Sequence, residues 1–405
     1  MSNQWLYQIF ALSGYRLVKV TPDEGRALIQ VEPQPHRVCC PKCGSKEVIR
    51  KGAETRWLRN LPVGSEMSWV ILEIPRVHCA YCNLTRQIHL GLAEPRRSYT
   101  RAFERYVLEL LQYMVIQDVV RHLAISWDMV KDIQKRHLKR HYSKPALKDV
   151  TRIAIDEICI GRSYRFVTLV LDLDTGAILY VGEGKKAASL RKFWVRVRAA
   201  HAKIKAVAMD MSKAYRAAVE KNLPKAAIVF DHFHVVKLMN SKLTKLRRDL
   251  YRQATDDLRR KNVLKGTRWL LLKNPENLDP VKGEPKRLQE ALKLNEALSI
   301  AYYLKEDLRQ IWRQASKEIA RLKLLDWYHQ ALSSGVAVLH EFARTLLEHQ
   351  HGILAWYDHP ISSGPMEGTN NKIKTMIRQH FGLRDYEFFV LKLYQLHKTR
   401  YALVG

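Results

Sequence analysis

The stretch RIAIDEICI, residues 152–160, is the most informative segment of the sequence, because it puts two carboxylates inside a run of aliphatic and β-branched residues. A run of this length and composition predicts a buried β-strand. A charged side chain in a buried strand is costly unless something compensates it, and a divalent cation is a direct compensation. Asp156 is therefore the first candidate metal ligand.

The residues that follow continue this strand into an α/β domain. Strand patterns at 166–173 and 177–181 flank a turn at Asp174-Thr175-Gly176, and the patterns then alternate as helix 187–200, strand 205–209, helix 212–222 and strand 226–230. A three-strand meander followed by helix–strand–helix–strand is the order of a ribonuclease-H-like fold. We predict an α/β catalytic core of that type over 149–235 and 359–405, interrupted by an all-helical insertion over 236–358.

Two more acidic residues lie where this fold would bring them close to Asp156. Asp210 directly follows the strand at 205–209, and ligands commonly bind beyond the carboxyl ends of strands. Glu367 stands at the start of a late helix, on which Asn370, Asn371 and Lys374 share its face. We predict Asp156, Asp210 and Glu367 as catalytic magnesium ligands, with Asn370, Asn371 and Lys374 contacting DNA.

Other acidic and histidine residues leave alternatives to this assignment. Asp231 follows the strand at 226–230 and could replace Asp210 or act as an auxiliary residue. Glu157 and His232 are further candidates for an auxiliary role only. His232 and His234 together with Asp231 also allow a transition-metal site. Carboxylates holding hard cations remain the preferred interpretation, since phosphoryl transfer requires charge neutralisation at the phosphate.

Five of the six cysteines precede residue 83, and four of them form two C-x-x-C pairs. This spacing lets two thiolates of each pair turn onto one cation, so Cys40, Cys43, Cys79 and Cys82 predict a structural zinc site in a zinc ribbon over 1–95. Cys39 could substitute in register, and His36 and His78 are weaker competitors.

A helical segment over 96–148 contains a compact helix pair, 117–123 and 127–139, with Ser126 as the predicted N-cap of the second helix. We predict a helix-turn-helix whose second helix contacts DNA through four cations: Lys131, Lys135, Arg136 and Lys139.

The charge balance agrees with a nucleic-acid partner. The 405 residues include 69 Lys and Arg against 40 Asp and Glu, a net charge of +29, which a polyanion would offset. The sequence contains no run of about 18 apolar residues, so we predict no membrane span and expect a cytoplasmic protein.

Taken together, these motifs resemble the ISL3 family of bacterial insertion-sequence transposases, whose catalytic domain is of the DDE type. Besides the cysteine pairs, the resemblance rests on strings that span roughly residues 38–390: IDE at 155–157, DLDTG at 172–176, DMS at 210–212, DHFHV at 231–235, RWLL at 268–271 and EGTNNKIK at 367–374. It implies a ribonuclease-H-like core with Asp156, Asp210 and Glu367 as the triad, and Mg²⁺ or Mn²⁺ as cofactor.

The function expected from this resemblance is a transposase that binds the terminal inverted repeats of its element as a dimer or higher oligomer. It would cleave there by hydrolysis and join the freed 3′-OH ends to target DNA. The alternatives are a zinc-ribbon and helix-turn-helix regulator with an inactive nuclease-like domain, and a nuclease without joining activity. A complete acidic triad favours the transposase, because a protein that only binds DNA has no use for it.

Overall fold

The computed structural model describes residue 10 and residues 12–161, 165–254, 257–380 and 384–398. The chain forms two compact units, Met1–His141 and Tyr142–Gly405. Within the described residues, no helix combines the length and the apolar composition needed to cross a bilayer.

The first unit contains a five-stranded sheet. Its strands are β1 (Tyr15–Asp23), β2 (Arg26–Pro33), β3 (Val48–Val63), β4 (Glu66–Cys79) and β5 (Leu84–Gln87). The order is β1-β2-β4-β3, with β5 paired to β4 and with β2 and β4 parallel. Alternate residues of β2 and β4, including Ile29, Val31, Val70 and Leu72, are buried on one face, as the period of two predicts.

After the sheet, the described residues of this unit form α1 (Arg101–Leu110), α2 (Ile116–Leu123) and α3 (Trp127–Tyr142). Thr100 Oγ1 accepts from Phe103 N at 3.1 Å and so caps α1. Ala124 adopts the left-handed conformation, φ 49°, in the turn between α2 and α3. Ser126 Oγ accepts from Met129 N at 3.2 Å, which confirms the predicted cap. The helix pair itself agrees with the predicted segments to within three residues.

The second unit is built on a mixed five-stranded sheet. Its strands are β6 (Arg152–Cys159), β7 (Phe166–Asp172), β8 (Ile178–Glu183), β9 (Ala206–Met209) and β10 (Ala227–Phe230). The order is β10-β9-β6-β7-β8. The β6-β7-β8 meander is antiparallel, whereas β9 and β10 run parallel to β6. All five strands agree with the predicted strand segments.

Helices cover both faces of this sheet. Those that connect the strands are α4 (Arg191–Ala199) and α5 (Lys213–Asn222), and α6 (His232–Gln253) follows β10. The long helical region continues with α7 (Leu258–Gly266), α8 (Glu284–Lys293), α9 (Glu296–Leu308), α10 (Lys317–Ser333), α11 (Ala337–Glu348) and α12 (Gln350–Leu354). Two last helices, α13 (Gly364–Gln379) and α14 (Tyr386–Gln395), return to the sheet.

The helical region packs around Trp327, which belongs to the same hydrophobic core as Ile155 of β6. The Trp327 side chain is fully buried, packs edge-to-face against Phe342, and donates its indole N–H to Leu304 O at 2.7 Å. Truncating a buried aromatic side chain of this size costs about 3–5 kcal/mol. The region predicted as a helical insertion is therefore a packed part of the unit.

Alternation along the strands separates two hydrophobic layers. Ile153, Ile155 and Val207 pack with α4, α5, α6 and the helices after them. Ala154 and Ala208, by contrast, pack with α13 and α14. Because side chains alternate between faces with a period of two, Asp156 and Asp210 fall on the same face as Ala154 and Ala208. The two carboxylates thus lie on the side of the sheet that α13 covers.

Candidate functional site

Asp156 and Asp210 are brought together by the parallel pairing of β6 and β9. Arg152 pairs with Ala206, Ile153 with Val207, and Ala154 with Ala208. Continuing this register by two residues sets Asp210, which directly follows β9, opposite Asp156. Neighbouring strands lie about 4.8 Å apart, so the two carboxylates are neighbours at the carboxyl end of the sheet.

Asp156 is partly buried and contacts α13 directly. Asn370 Nδ2 donates to Asp156 Oδ2 at 2.9 Å. Burial raises the pKa of Asp156, and the charge of Asp210 adds to that increase, while His234 and the Asn370 hydrogen bond oppose it. The ionised carboxylate is therefore held in an unfavourable environment that an added positive charge would relieve.

Asn370 also offers an oxygen to this site. Its Oδ1 atom is buried and has no hydrogen-bond partner among the described residues. Asp210 is oriented by a hydrogen bond of its own, because its Oδ1 accepts from Ser212 N at 3.1 Å. Carboxylate and amide oxygens are the ligands that Mg²⁺ prefers, so the donor set fits a hard divalent cation.

Glu367 lies on the first turn of α13 and is exposed, as are Asn371 and Lys374. Its helix begins three residues earlier, at Gly364, with Pro365 near its start, as helix N-termini favour. Within the described part of the chain, the three carboxylates do not form a group whose oxygens all approach within 4.8 Å. The structure therefore joins Asp156 to the α13 face through Asn370 and leaves Glu367 in solvent.

Glu157, the neighbour of Asp156 in sequence, points to the other face of the strand. It interacts there with the Tyr215 hydroxyl, which lies 3.0 Å from Thr168 Oγ1. Burial raises the pKa of Glu157, the Tyr215 hydrogen bond lowers it, and the two aspartates raise it further. Thr168 Oγ1 is in turn 2.7 Å from Ser189 Oγ, so Glu157 belongs to a polar network under the sheet.

Asp231 is buried, and its carboxylate is fully engaged by hydrogen bonds. Oδ1 accepts from Phe233 N at 2.9 Å and caps α6. Oδ2 accepts from Ser363 N at 2.7 Å and from the Ser363 hydroxyl. Burial raises the pKa of Asp231, but the His232 and Ser363 hydrogen bonds outweigh it and hold that pKa well below its usual range. This contact with Ser363 was not predicted from the sequence.

The two histidines after Asp231 have different surroundings. His232 Nδ1 is 3.2 Å from Asp231 Oδ1, and this contact raises the pKa of His232. His234 contributes to the electrostatic environment of Asp156. Among the described residues, Asp231, His232 and His234 do not form a close ligand group, so the transition-metal alternative has no structural support.

The four cysteines of the two C-x-x-C pairs converge. The sulfur atoms of Cys40, Cys43, Cys79 and Cys82 all lie within 4.8 Å of one another, and Cys43 Sγ is 3.6 Å from Cys79 Sγ. Backbone N–H groups of Cys43 and Lys42 lower the pKa of Cys40 to about 6, which favours the thiolate form that binds metals. Cys39 lies outside the group, and His78 Nδ1 is 3.0 Å from Thr85 Oγ1.

The cations predicted to contact DNA on α3 differ in their surroundings. Arg136 is engaged within the unit: it pairs with Glu104 at 3.2 Å and Asp132 at 3.1 Å, and it donates to the Tyr99 hydroxyl. Lys131 Nζ lies 5.1 Å from the Trp127 ring centroid. Lys139 is exposed and Lys135 is half-buried.

Comparison with protein families gives three consecutive matches. A family described as a transposase matches residues 153–393. The helix-turn-helix domain of transposase family ISL3 matches residues 88–138, and the zinc finger of the transposases of IS204, IS1001, IS1096 and IS1165 matches residues 36–82. The order of zinc ribbon, helix-turn-helix and α/β domain agrees with the order predicted from the sequence.

Comparison with individual proteins gives similarities over nearly the whole chain. The chain is 33% identical over 387 residues to the transposase for insertion sequence element IS1001 of Bordetella parapertussis, covering 94% of each protein. It is 29% identical over 389 residues to the transposase for IS1557 of Mycobacterium tuberculosis, covering 89% of this chain and 86% of the relative.

Proposed function

The chain belongs to the ISL3 family of insertion-sequence transposases, and from that membership we propose that Asp156, Asp210 and Glu367 are the carboxylates with which it cuts and joins DNA. The observation that carries this assignment is the β6–β9 register, which sets Asp156 beside Asp210 on the face covered by the helix of Glu367. The β10-β9-β6-β7-β8 order, with an antiparallel meander and two parallel strands, supports a ribonuclease-H-like core.

The DDE type implies a divalent cation, and we propose Mg²⁺, or Mn²⁺ in its place. Asp156 and Asp210 would hold it, with Glu367 completing the ligand set and the Asn370 amide oxygen as a further donor. A bound cation would neutralise charge on the phosphate and favour ionisation of the attacking water. Lys374 and Asn371, on the exposed side of α13, would contact phosphates beside the scissile bond.

Asp231 has a positioning role in this proposal. Its carboxylate is saturated by hydrogen bonds and has no free oxygen for a cation, which argues against its replacing Asp210. Glu157 likewise acts from the opposite face of β6, through Tyr215. His232 supports Asp231 through its ring nitrogen.

We propose that DNA recognition lies in the first two modules. Residues 1–95 would form the zinc ribbon, with Zn²⁺ held by the four converging cysteines. Residues 96–148 would form the helix-turn-helix that reads the terminal inverted repeats. The core would then comprise 149–235 and 359–405, with 236–358 as its helical insertion. A dimer or higher oligomer would bring both ends of the element together.

A direct experiment tests this function. Purified full-length protein is incubated with Mg²⁺ and labelled duplex DNA that carries the ends of its element and the adjoining flank. We expect cleavage at the terminal repeat and products in which the freed 3′ end is joined to a second duplex. Binding without cleavage in Mg²⁺ or Mn²⁺ would instead identify a regulator, and cleavage without joined products would identify a nuclease.

A further inference from the structure

Trp269, in the RWLL string that the catalytic proposal does not use, exposes 64% of its surface. Its neighbours are firmly anchored. Leu270 and Leu271 are buried, and the buried Lys305 donates to Leu271 O at 3.1 Å and Lys273 O at 3.0 Å. Thr267 Oγ1 donates to Val263 O at 3.0 Å on the other side. A fixed backbone thus presents a large aromatic ring to solvent.

An arginine already lies over this ring. The Arg268 guanidinium carbon is 4.6 Å from the ring centroid of Trp269, within the range of a cation–π contact. This contact restricts the orientation of the indole and adds a positive charge beside it. Because the guanidinium lies over one face of the indole, a further planar group would stack on the opposite face.

The chain around Trp269 is strongly basic. Residues 245–268 contain nine Lys and Arg against three Asp. Arg247 Nη1 donates to Leu264 O at 3.0 Å and so ties α6 to α7. Since Leu264 lies four residues before Arg268, this hydrogen bond places Arg247 near Arg268. Burial lowers the pKa of Arg247, and the charges of Arg268 and Arg248 lower it further.

Several of these cations face solvent without a counter-charge. Arg248, Arg259, Lys265 and Arg268 are exposed, and within the described ranges no carboxylate forms an ion pair with any of them. Like charges held this close repel one another, so a bound polyanion would stabilise the surface. A symmetric contact with a second copy would bring the same cations face to face, which disfavours a self-association surface.

We propose that Trp269, with Arg268 and the neighbouring cations Arg247 and Arg248, forms a stacking platform for an unpaired nucleobase of bound DNA. Every base has a π-face that stacks on an aromatic ring, and the flanking cations would contact the phosphates on either side. The inference rests on the proposed function only in taking DNA as the ligand. It requires neither the metal nor the three carboxylates.

The position of this platform indicates which part of the DNA it holds. Helix α6 starts at His232, directly after its cap Asp231, and Arg248 lies 16 residues after His232. At 1.5 Å per residue this is about 24 Å along the helix axis. With bases about 3.4 Å apart along a strand, the platform would engage DNA roughly seven nucleotides from the scissile phosphate. It would therefore hold flanking DNA in a distorted or unpaired state and take no part in the bond cleavage.

The test compares two oligonucleotides of equal charge with the full-length protein. One is a 20-nucleotide thymidine oligomer, and the other is its abasic analogue with the same sugar–phosphate backbone. We expect Trp269→Ala to weaken thymidine-oligomer binding about tenfold, as loss of one base–aromatic stack does, and to leave binding of the abasic oligomer unchanged. Trp269→Phe should keep most of the affinity, while Arg248→Ala should weaken both oligomers equally.

Tyr303→Ala is the matched control, since Tyr303 is an aromatic residue of the same unit that is 56% exposed. It should change neither affinity. If Trp269→Ala, folded as judged by its melting temperature, binds both oligomers like the wild type, the platform does not exist. A lower molar mass in light scattering with unchanged affinities would instead identify Trp269 as a protein contact. Either result would leave carboxylate-dependent cleavage intact. A failure of the platform inference can therefore be distinguished from a failure of the proposed function by measuring cleavage.

Discussion

Asp231 accepts hydrogen bonds from both the backbone N–H and the hydroxyl of Ser363, 132 residues further along the chain. Asp231 also caps α6, whereas Ser363 directly precedes α13. The bond therefore joins the start of the helical region to the start of the helix that carries Glu367 and Asn370. It connects two parts of the core that the helical region separates in sequence.

We expect Asp231→Asn to lower both stability and cleavage. The amide keeps the size of the side chain but presents N–H groups toward the Ser363 donors, and losing hydrogen bonds to a buried charge costs about 1.5–3 kcal/mol. The melting temperature should fall by about 5 °C or more. Cleavage should be reduced by misplacement of α13 and yet remain detectable.

Ser363→Ala should have the same effects to a smaller extent, because it removes one of the two hydrogen bonds. The double variant should be little worse than Asp231→Asn alone, as residues acting through one contact are not additive. Asp174→Asn is the control, since Asp174 forms an exposed pair with Arg152 and should matter little. Fully additive losses for Asp231 and Ser363 would show that the contact does not couple the two helices.

The zinc assignment predicts about one Zn²⁺ per chain in protein purified without added metal. Cys40→Ser combined with Cys43→Ser should remove the metal and weaken binding to the terminal repeat, because the zinc site would lose two of its four ligands. Cys159→Ser, at an exposed cysteine of the other unit, should change neither quantity. Full zinc content in the double variant, measured by elemental analysis, would disprove the site.

The two neighbouring cations of α3 should respond differently to substitution. Lys135→Ala should weaken DNA binding. It should also reduce the slope of log affinity against log salt concentration by about one, because one phosphate contact is removed. Arg136→Ala should mainly lower stability, because Arg136 holds α3 to Glu104 of α1 and pairs with Asp132 on its own helix. Melting temperatures and affinities at several salt concentrations separate the two effects. Equal slope changes with unchanged melting would assign Arg136 to DNA as well.

The sequence predicted those features whose signals are local. The strand carrying Asp156, the strand before Asp210 and the C-x-x-C pairs have spacing or hydrophobic patterns that depend on few neighbours. The placement of Glu157 could also have been derived, since a period of two sends it to the face opposite Asp156. Its assignment as an auxiliary residue reflected closeness in sequence alone.

Other features depend on distant contacts and have no local pattern. Nothing near Asp231 indicates that Ser363 is its partner, and nothing in α3 distinguishes Arg136 from Lys135 without knowing where Glu104 lies. The buried Lys305 is a further case, because only tertiary packing shows that it binds the carbonyls around Leu271. Charge patterns predict a basic surface, and the fold determines which cations are used internally.

Asp156→Asn should stabilise the protein in magnesium-free buffer. Burial and the charge of Asp210 raise the pKa of Asp156, so its ionised form opposes folding. That cost is small at low pH, where the group is protonated in both states, and it develops as the pH rises through the raised pKa. The melting-temperature gain of the variant should therefore be larger at pH 8 than at pH 4. Adding Mg²⁺ should raise the melting temperature of the wild type and have little effect on the variant. A variant no more stable than the wild type at pH 8 would contradict this account.

The carboxylate assignment makes the strongest prediction about chemistry. Asp156→Asn, Asp210→Asn and Glu367→Gln should each abolish cleavage and joining while leaving binding to the terminal repeat largely intact. Each amide preserves side-chain shape but removes the charge that holds the cation, which accounts for several kcal/mol of the barrier reduction. Losses should be similar and non-additive, because the three residues act as one unit.

Glu157→Gln, which alters the Tyr215 network on the opposite face, should cleave at a reduced rate. Gel assays with labelled ends measure cleavage and joining, and band shifts measure binding. Normal cleavage by all three triad variants would refute the assignment, whereas an active Asp210→Asn beside an inactive Asp231→Asn would transfer the second position to Asp231.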